Sequence, residues 1–266
     1  MNLPEKFDLS STEEYVLAFE VSNEMCSFLI YDPVEGESLF YHAIEKKMSE
    51  DTFFAFENFY YENEFLSSSY HKIFVVNNTA EFTFIPSDVF SEKKKDEFFS
   101  FNLLENEDKV LVQTLRKPEI ILLHSISEKV FDFFSRTFLN VNFIHHLSPL
   151  ISYFSERTRV GNTHKLIVNM QNKGLDVLYF TPSGEFVFAN HFKYNHLNDV
   201  VYYIFFIWKQ FNLNQLKDFI YVVGNSSLKS DLIKQIQKYV QYVFPVDITS
   251  SDFIPFELLS LTSCEL

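Results

Sequence analysis

Apolar residues along this chain gather into short dense runs parted by polar turns, and the runs come in the same order twice. In the first half, residues 15–21, 26–31 and 39–44 are of strand length and are separated by turns at 22–24 and 32–37, the pattern of a three-stranded meander. In the second half, residues 165–170, 175–180 and 186–192 are separated by Gln171-Asn172-Lys173 and Thr181-Pro182-Ser183-Gly184-Glu185. Each meander leads into an aromatic-rich segment of helical length, residues 49–65 and 198–211, and each helix into a short apolar strand, residues 73–76 and 219–223. A helix between two strands of one sheet implies a right-handed parallel crossover, so each half is expected to form a mixed sheet whose fourth strand runs parallel to its first.

The spacing between matched positions holds. Asn23 to Asn172 and Pro33 to Pro182 are each 149 residues apart, Gly36 to Gly184 is 148, and Val75 to Val222 is 147; a slow drift of this kind is what a duplication with small deletions leaves. Between the repeats, a strand at 82–85 ended by Pro86, a helix at 87–101 and a strand at 109–115 predict a small β-α-β insert. A strand at 119–123, a helix opened by the capping box Ser125-x-x-Glu128, a strand at 141–144 and a helix at about 149–157 then complete a first lobe. A helix at about 228–239, a strand at 242–246 and a last short helix close the second. The expected division is a first lobe over 1–163, with its insert at about 79–117, and a second lobe over 164–266.

Composition narrows the function classes. The chain has 266 residues, 47% of them apolar, and a formal net charge of −14, so it can bury a substantial core and carries no surplus of Lys and Arg with which to neutralise nucleic-acid phosphates. Its one basic cluster, Lys93-Lys94-Lys95, lies among Glu92, Asp96 and Glu97 and reads as a solvated helix face. The N-terminus shows no secretory pattern, and the longest apolar run, Val200 to Trp208, is far shorter than a membrane-spanning helix requires. It reads as a buried helix, and the protein is expected in the cytoplasm without insertion into a membrane. Cys26 and Cys264 have neither metal-site nor disulfide spacing, and no metal ligand set is expected. His145-His146 at a strand end is expected to point to opposite faces and so not to chelate. The 33 Phe residues are read as core filling rather than as a stacking surface. No catalytic residue is assigned, because no nucleophile-elbow or zincin context exists. The five glycines, Gly36, Gly161, Gly174, Gly184 and Gly224, are too few and too scattered for a glycine-rich phosphate cradle.

Four stretches together carry a family resemblance: Phe82-Thr83-Phe84-Ile85-Pro86 with the helix after it, Pro118 to Leu123 through Phe143-Ile144, Leu166-Ile167-Val168-Asn169-Met170-Gln171, and Ile220 to Ser227 with its Gly224-Asn225-Ser226 turn. The chain resembles the actin-like ATPase superfamily, especially its PilM/FtsA branch, and an uncharacterised bacterial family of unknown function with that fold. The resemblance implies a two-lobed α/β architecture of duplicated β-β-β-α-β-α mixed sheets, the actin-like (ribonuclease H-like) fold. It also implies a nucleotide site at two hairpins and an adenosine turn, which here fall on Glu20, Ser22 and Asn23, on Asn169, Gln171 and Asn172, and on Gly224, Asn225 and Ser226. Active members carry an Asp and a Gly in each hairpin, the Asp for Mg²⁺ and the Gly for close approach of backbone N–H groups to phosphate. Both pairs are missing here, and the link from 211 to 219 leaves no room for the helical subdomain that closes over nucleotide in that family. The positions therefore read as vestigial and no cofactor is expected. The expected role is a catalytically degenerate cytoplasmic scaffold or regulator of an unidentified protein partner. The alternative is an ATPase or nucleotide-switched binder holding Mg-ATP, with Glu20 in the metal role; a small-molecule sensor with an aromatic-lined interlobe cleft is a third.

Overall fold

The structure, a computed structural model, describes residues 4, 7–34, 39–46, 51–103, 108–116, 119–247 and 253–264. Residues 35–37 of the turn expected at 32–37, Gly36 among them, the expected helix start at 49–50 and Pro118 lie outside them. The chain divides into two compact units, 1–146 and 147–266.

In the first unit, strands β1 (Val16–Val21), β2 (Cys26–Tyr31) and β3 (Leu39–Ile44) form the meander, helix α1 (Thr52–Glu62) follows, and β4 (Lys72–Asn77) returns parallel to β1. The sheet order is β3-β2-β1-β4-β8, with β8 (Val141–His145) parallel to β4. Every residue of β1 is buried, as expected of a strand flanked on both sides in a covered sheet. Phe19 is the hub of the core: its ring meets Phe56 of α1 at 5.5 Å edge-on and Phe134 of helix α3 (Glu128–Thr137) at 5.1 Å. The abundant Phe thus fills a core by edge and tilted contacts between rings.

The second unit repeats the plan. Strands β9 (Lys165–Met170), β10 (Gly174–Phe180) and β11 (Phe186–Lys193), helix α5 (Leu197–Gln210), β12 (Phe219–Gly224), α6 (Lys229–Ile236) and β13 (Tyr242–Pro245) give the order β11-β10-β9-β12-β13. β12 is parallel to β9 and β13 to β12. The two sheets share one strand order and one set of directions, as the repeat requires.

Several local expectations give way. The strand β7 (Glu119–Ile126) does not join the main sheet. It lies at the centre of a separate three-stranded sheet, antiparallel to both β5 (Phe82–Pro86) and β6 (Lys109–Arg116), because an eight-residue apolar strand between two neighbours satisfies both of its backbone edges. Ser125 consequently belongs to β7 and its hydroxyl donates to Glu81 Oε2 at 2.7 Å, so the capping box does not form; Ser127 is the cap residue of α3 instead. The helix expected from 87 begins later, as a short 3₁₀ turn at Glu92–Lys94 and then α2 (Lys95–Asn102). Helix α4 (Leu147–Arg157), which the sequence pattern places with the first lobe, falls in the second unit, where Phe154 stacks on Phe256 of α7 (Phe256–Leu261) at 5.9 Å. α5 is not wholly buried, since Tyr202 and Phe206 face solvent. Among the described residues no helix is long and apolar enough to cross a membrane.

Candidate functional site

The hairpin between β1 and β2 holds the first three candidate residues. Antiparallel register sets Glu20 opposite Ser27, and residues opposite one another share a face of the sheet. The Glu20 side chain is buried. Its Oε2 accepts from Ser27 Oγ at 3.1 Å and its Oε1 from Asn78 Nδ2 at 3.0 Å, just beyond β4. Both oxygens are thus taken by neutral donors of the same unit. Ser22 closes the turn on itself: its Oγ accepts from Glu24 N at 3.3 Å and Met25 N at 2.9 Å and donates to Met25 O at 2.8 Å. Asn23 is exposed, and its carbonyl accepts from Thr52 Oγ1 at 2.9 Å, tying the turn to the first residue of α1.

The hairpin between β9 and β10 holds the next three. Asn169 pairs with Asp176 across the antiparallel ladder. The pairs 20/27 and 169/176 are each offset by the same 149 residues, so they are equivalent places in the two repeats. In the first the acid sits on the first strand and in the second on the neighbouring strand. Asp176 is fully buried and accepts from Asn169 Nδ2 at 2.9 Å and Gln171 Nε2 at 3.1 Å on Oδ2 and from His191 Nδ1 of β11 at 2.7 Å on Oδ1. A second buried carboxylate, Glu257 of α7, takes Gln171 Nε2 at 3.2 Å on Oε1 and Asn169 Nδ2 at 3.4 Å on Oε2. The two amides are therefore held between two carboxylates, and Asn169 Oδ1 is buried with no hydrogen-bond partner among the described residues. Asn172 is exposed at the tip.

The third group follows β12. Gly224 has φ +100°, and a Cβ there would sit 2.2 Å from Met170 O and 2.8 Å from Asn169 Oδ1. This glycine is required by the close approach of β12 to the hairpin itself. Asn225 is half-buried; Ser226 is buried, its N–H donating to Met170 O at 3.3 Å and its Oγ accepting from Leu228 N at 3.3 Å as α6 begins. The six second-unit positions thus converge on the end of β9, while Glu20, Ser22 and Asn23 form their own cluster in the first unit.

Sequence reasoning missed Ser27, Asn78, Asp176, His191 and Glu257. Two of them carry a legible signal: Ser27 and Asp176 are polar residues inside apolar strand runs at the repeat offset. A further polar group lies in the first unit. His124 of β7 is fully buried, with Nδ1 at 3.0 Å from Asn77 Nδ2. The Asn77 amide donates there, so the ring proton resides on Nε2, which has no hydrogen-bond partner among the described residues. Desolvation and the neighbouring His146 push the His124 pKa down to about 3. His145 and His146 do not point apart: their ring centroids are 4.3 Å from one another. The alternation rule of a strand fails here because β8 ends at His145 and His146 already belongs to the turn.

A family model described as "Protein of unknown function (DUF3822)" matches residues 4–243. Among solved structures, a Bacteroides thetaiotaomicron VPI-5482 protein with an actin-like ATPase fold and unknown function is similar at 26% identity and a TM-score of 0.87, over 97% of this chain and 99% of that one. A PilM-PilN type IV pilus biogenesis complex is similar at 10% identity and a TM-score of 0.59, over 93% of this chain and 96% of the other. The architecture is the actin-like fold that the family resemblance implies. No curated protein sequence matches.

Proposed function

The chain belongs to the family described as Protein of unknown function (DUF3822), and from that premise we propose that it is a catalytically degenerate actin-like protein, acting in the cytoplasm as a scaffold or regulatory binding protein for another protein. The observation that carries this reading is the second hairpin. Where active relatives offer a free Asp and backbone amides to Mg²⁺ and phosphate, Asn169 and Gln171 spend their amides on the buried carboxylates of Asp176 and Glu257. Buried carboxylates repel an incoming phosphate across a medium of low effective dielectric. In the first hairpin, Glu20 has both oxygens engaged, and two turn N–H groups are given to Ser22 Oγ. Neither set of residues fits a magnesium-bound triphosphate.

The test is thermal denaturation with and without millimolar Mg-ATP. A ligand at about 100 times its Kd stabilises the native state by about 2.7 kcal/mol. For a chain of this size that is a melting shift on the order of 5–8 °C. The expected shift is under about 1 °C, well below that linkage value, with no phosphate release above background. A shift of several degrees that requires Mg²⁺ and is abolished in Glu20→Ala overturns the reading in favour of a nucleotide-switched protein.

A further inference from the structure

The equivalent helices of the two repeats both present exposed aromatic rings to solvent, α1 among acidic groups and the C-terminal end of α5, with the segment after α6, among lysines. On α1, Phe54 is 54% and Tyr61 73% exposed. Asp51, Glu62 and Glu64 are exposed and Glu57 half-buried around them, and residues 49–71 contain no Lys or Arg at all. On α5, Tyr202 (63% exposed) and Phe206 (52%) lie one turn apart, with rings stacked at 6.2 Å. Phe205 meets Tyr239, 59% exposed and just past α6, at 5.4 Å, so the two helices share one aromatic surface. Lys209, one turn beyond Phe206, and Lys238, next to Tyr239 in the chain, are exposed along it, whereas Lys234 is paired with Asp231 at 3.2 Å. In a chain of net charge −14 a basic aromatic face is the exception, and clustered exposed rings with a polar rim mark interaction surfaces.

We propose that these two faces bind each other between copies of the chain: the acidic α1 face of one copy docks on the basic α5–α6 face of a second. Charge complementarity selects the partner. The α5–α6 face needs an acidic surface bearing aromatic rings, and α1 is that surface. Like faces repel, so the α1 face does not pair with itself, nor the lysine-bearing α5–α6 face with itself. The rings at the centre supply desolvated contact area and the rim charges supply orientation and rate. Neither helix face contains a hairpin residue, so the pairing is independent of nucleotide binding.

The experiment is sedimentation velocity of the full chain, from low micromolar to a few hundred micromolar protein. The wild type is expected to gain mass with concentration and to lose it as salt screens the rim. Two surface variants test the pairing: Lys209→Glu with Lys238→Glu, and Glu57→Lys with Glu62→Lys. Each alone is expected to stay monomeric, because its altered face now repels its only complement. Mixed in equal amounts they associate again, since the acidic α1 of the first meets the untouched lysines of the second and the new glutamates meet the new lysines. Phe206→Ser is expected to weaken wild-type association by about tenfold or more. Unchanged circular dichroism verifies that each variant is folded. A wild type that is monomeric throughout, association indifferent to both charge swaps, or a mixture that stays monomeric overturns the proposal.

Discussion

Gly224 shows how much one residue constrains the candidate site. A methyl group at this position meets the backbone of Met170 from 2.2 Å, and φ is in the region that only glycine adopts freely. Positive φ costs a non-glycine residue about 1–3 kcal/mol, and overpacking adds about the same again. Gly224→Ala is therefore expected to lower unfolding stability by about 3 kcal/mol or more, read from the midpoint of urea denaturation; a loss under about 1 kcal/mol would contradict the crowding. His124 makes a second residue-scale prediction. Its folded pKa is depressed from 6.5 to about 3, so the native state keeps the ring neutral while the unfolded chain binds a proton below 6.5. The stability it contributes is present above pH 6.5 and is lost as pH falls from 6.5 toward 3, at up to about 1.4 kcal/mol per pH unit. Plotted against pH over that window, His124→Leu should lose stability less steeply than wild type, whatever its baseline. Parallel slopes would show that the ring does not titrate in this way.

At the scale of elements, the start of α1 is held by its cap. Asp51 Oδ1 accepts from Phe53 N and Phe54 N, both at 3.0 Å, satisfying two of the N–H groups that a helix leaves open at its first turn. The same turn carries Thr52, which joins Lys46 at 2.7 Å to the Asn23 carbonyl at 2.9 Å. Asp51→Ala should cost about 1 kcal/mol, while Asp51→Asn, which keeps an acceptor, should cost less; chemical denaturation of the pair distinguishes a capping role from a general charge effect. The order and type of the elements were largely legible, because strand-length apolar runs and turn residues report burial directly. Element partners were less so. The apolar run of β7 announces a buried strand and not which sheet receives it, and Ser125 shows the cost of reading a cap before the strand has ended.

At the scale of the whole molecule, the division after His146 has a consequence for α4. Its residues Leu147, Leu150, Ile151 and Phe154 are buried, Phe154 stacks on Phe256, and Cys264 Sγ reaches Pro149 O at 3.6 Å. The second unit therefore contains α4 as part of its own core. A fragment of residues 147–266 is expected to be soluble, with dispersed amide resonances and cooperative melting. A fragment of 164–266 should be molten or insoluble, because removing α4 uncovers α7 and breaks a packed apolar layer. Equal behaviour of the two would return α4 to the first unit.

The sequence by itself determined the duplication, the meander that opens each half and the parallel fourth strand of each, because these follow from hydrophobic period, turn residues and the handedness of crossovers, all local or topological properties. It also located the two hairpins and showed that each lacks its Asp and Gly. Tertiary structure decided what fills those places. Nothing in the spacing of Asn169, Gln171, Asp176 and Glu257 along the chain indicates that two amides lie between two buried carboxylates, since Glu257 arrives from a helix more than eighty residues away, and only register and packing bring it there. Likewise strand alternation sends His145 and His146 to opposite faces, but the strand ends between them. Side-chain direction at the end of an element is set by the turn that follows, and that turn is fixed by what it packs against.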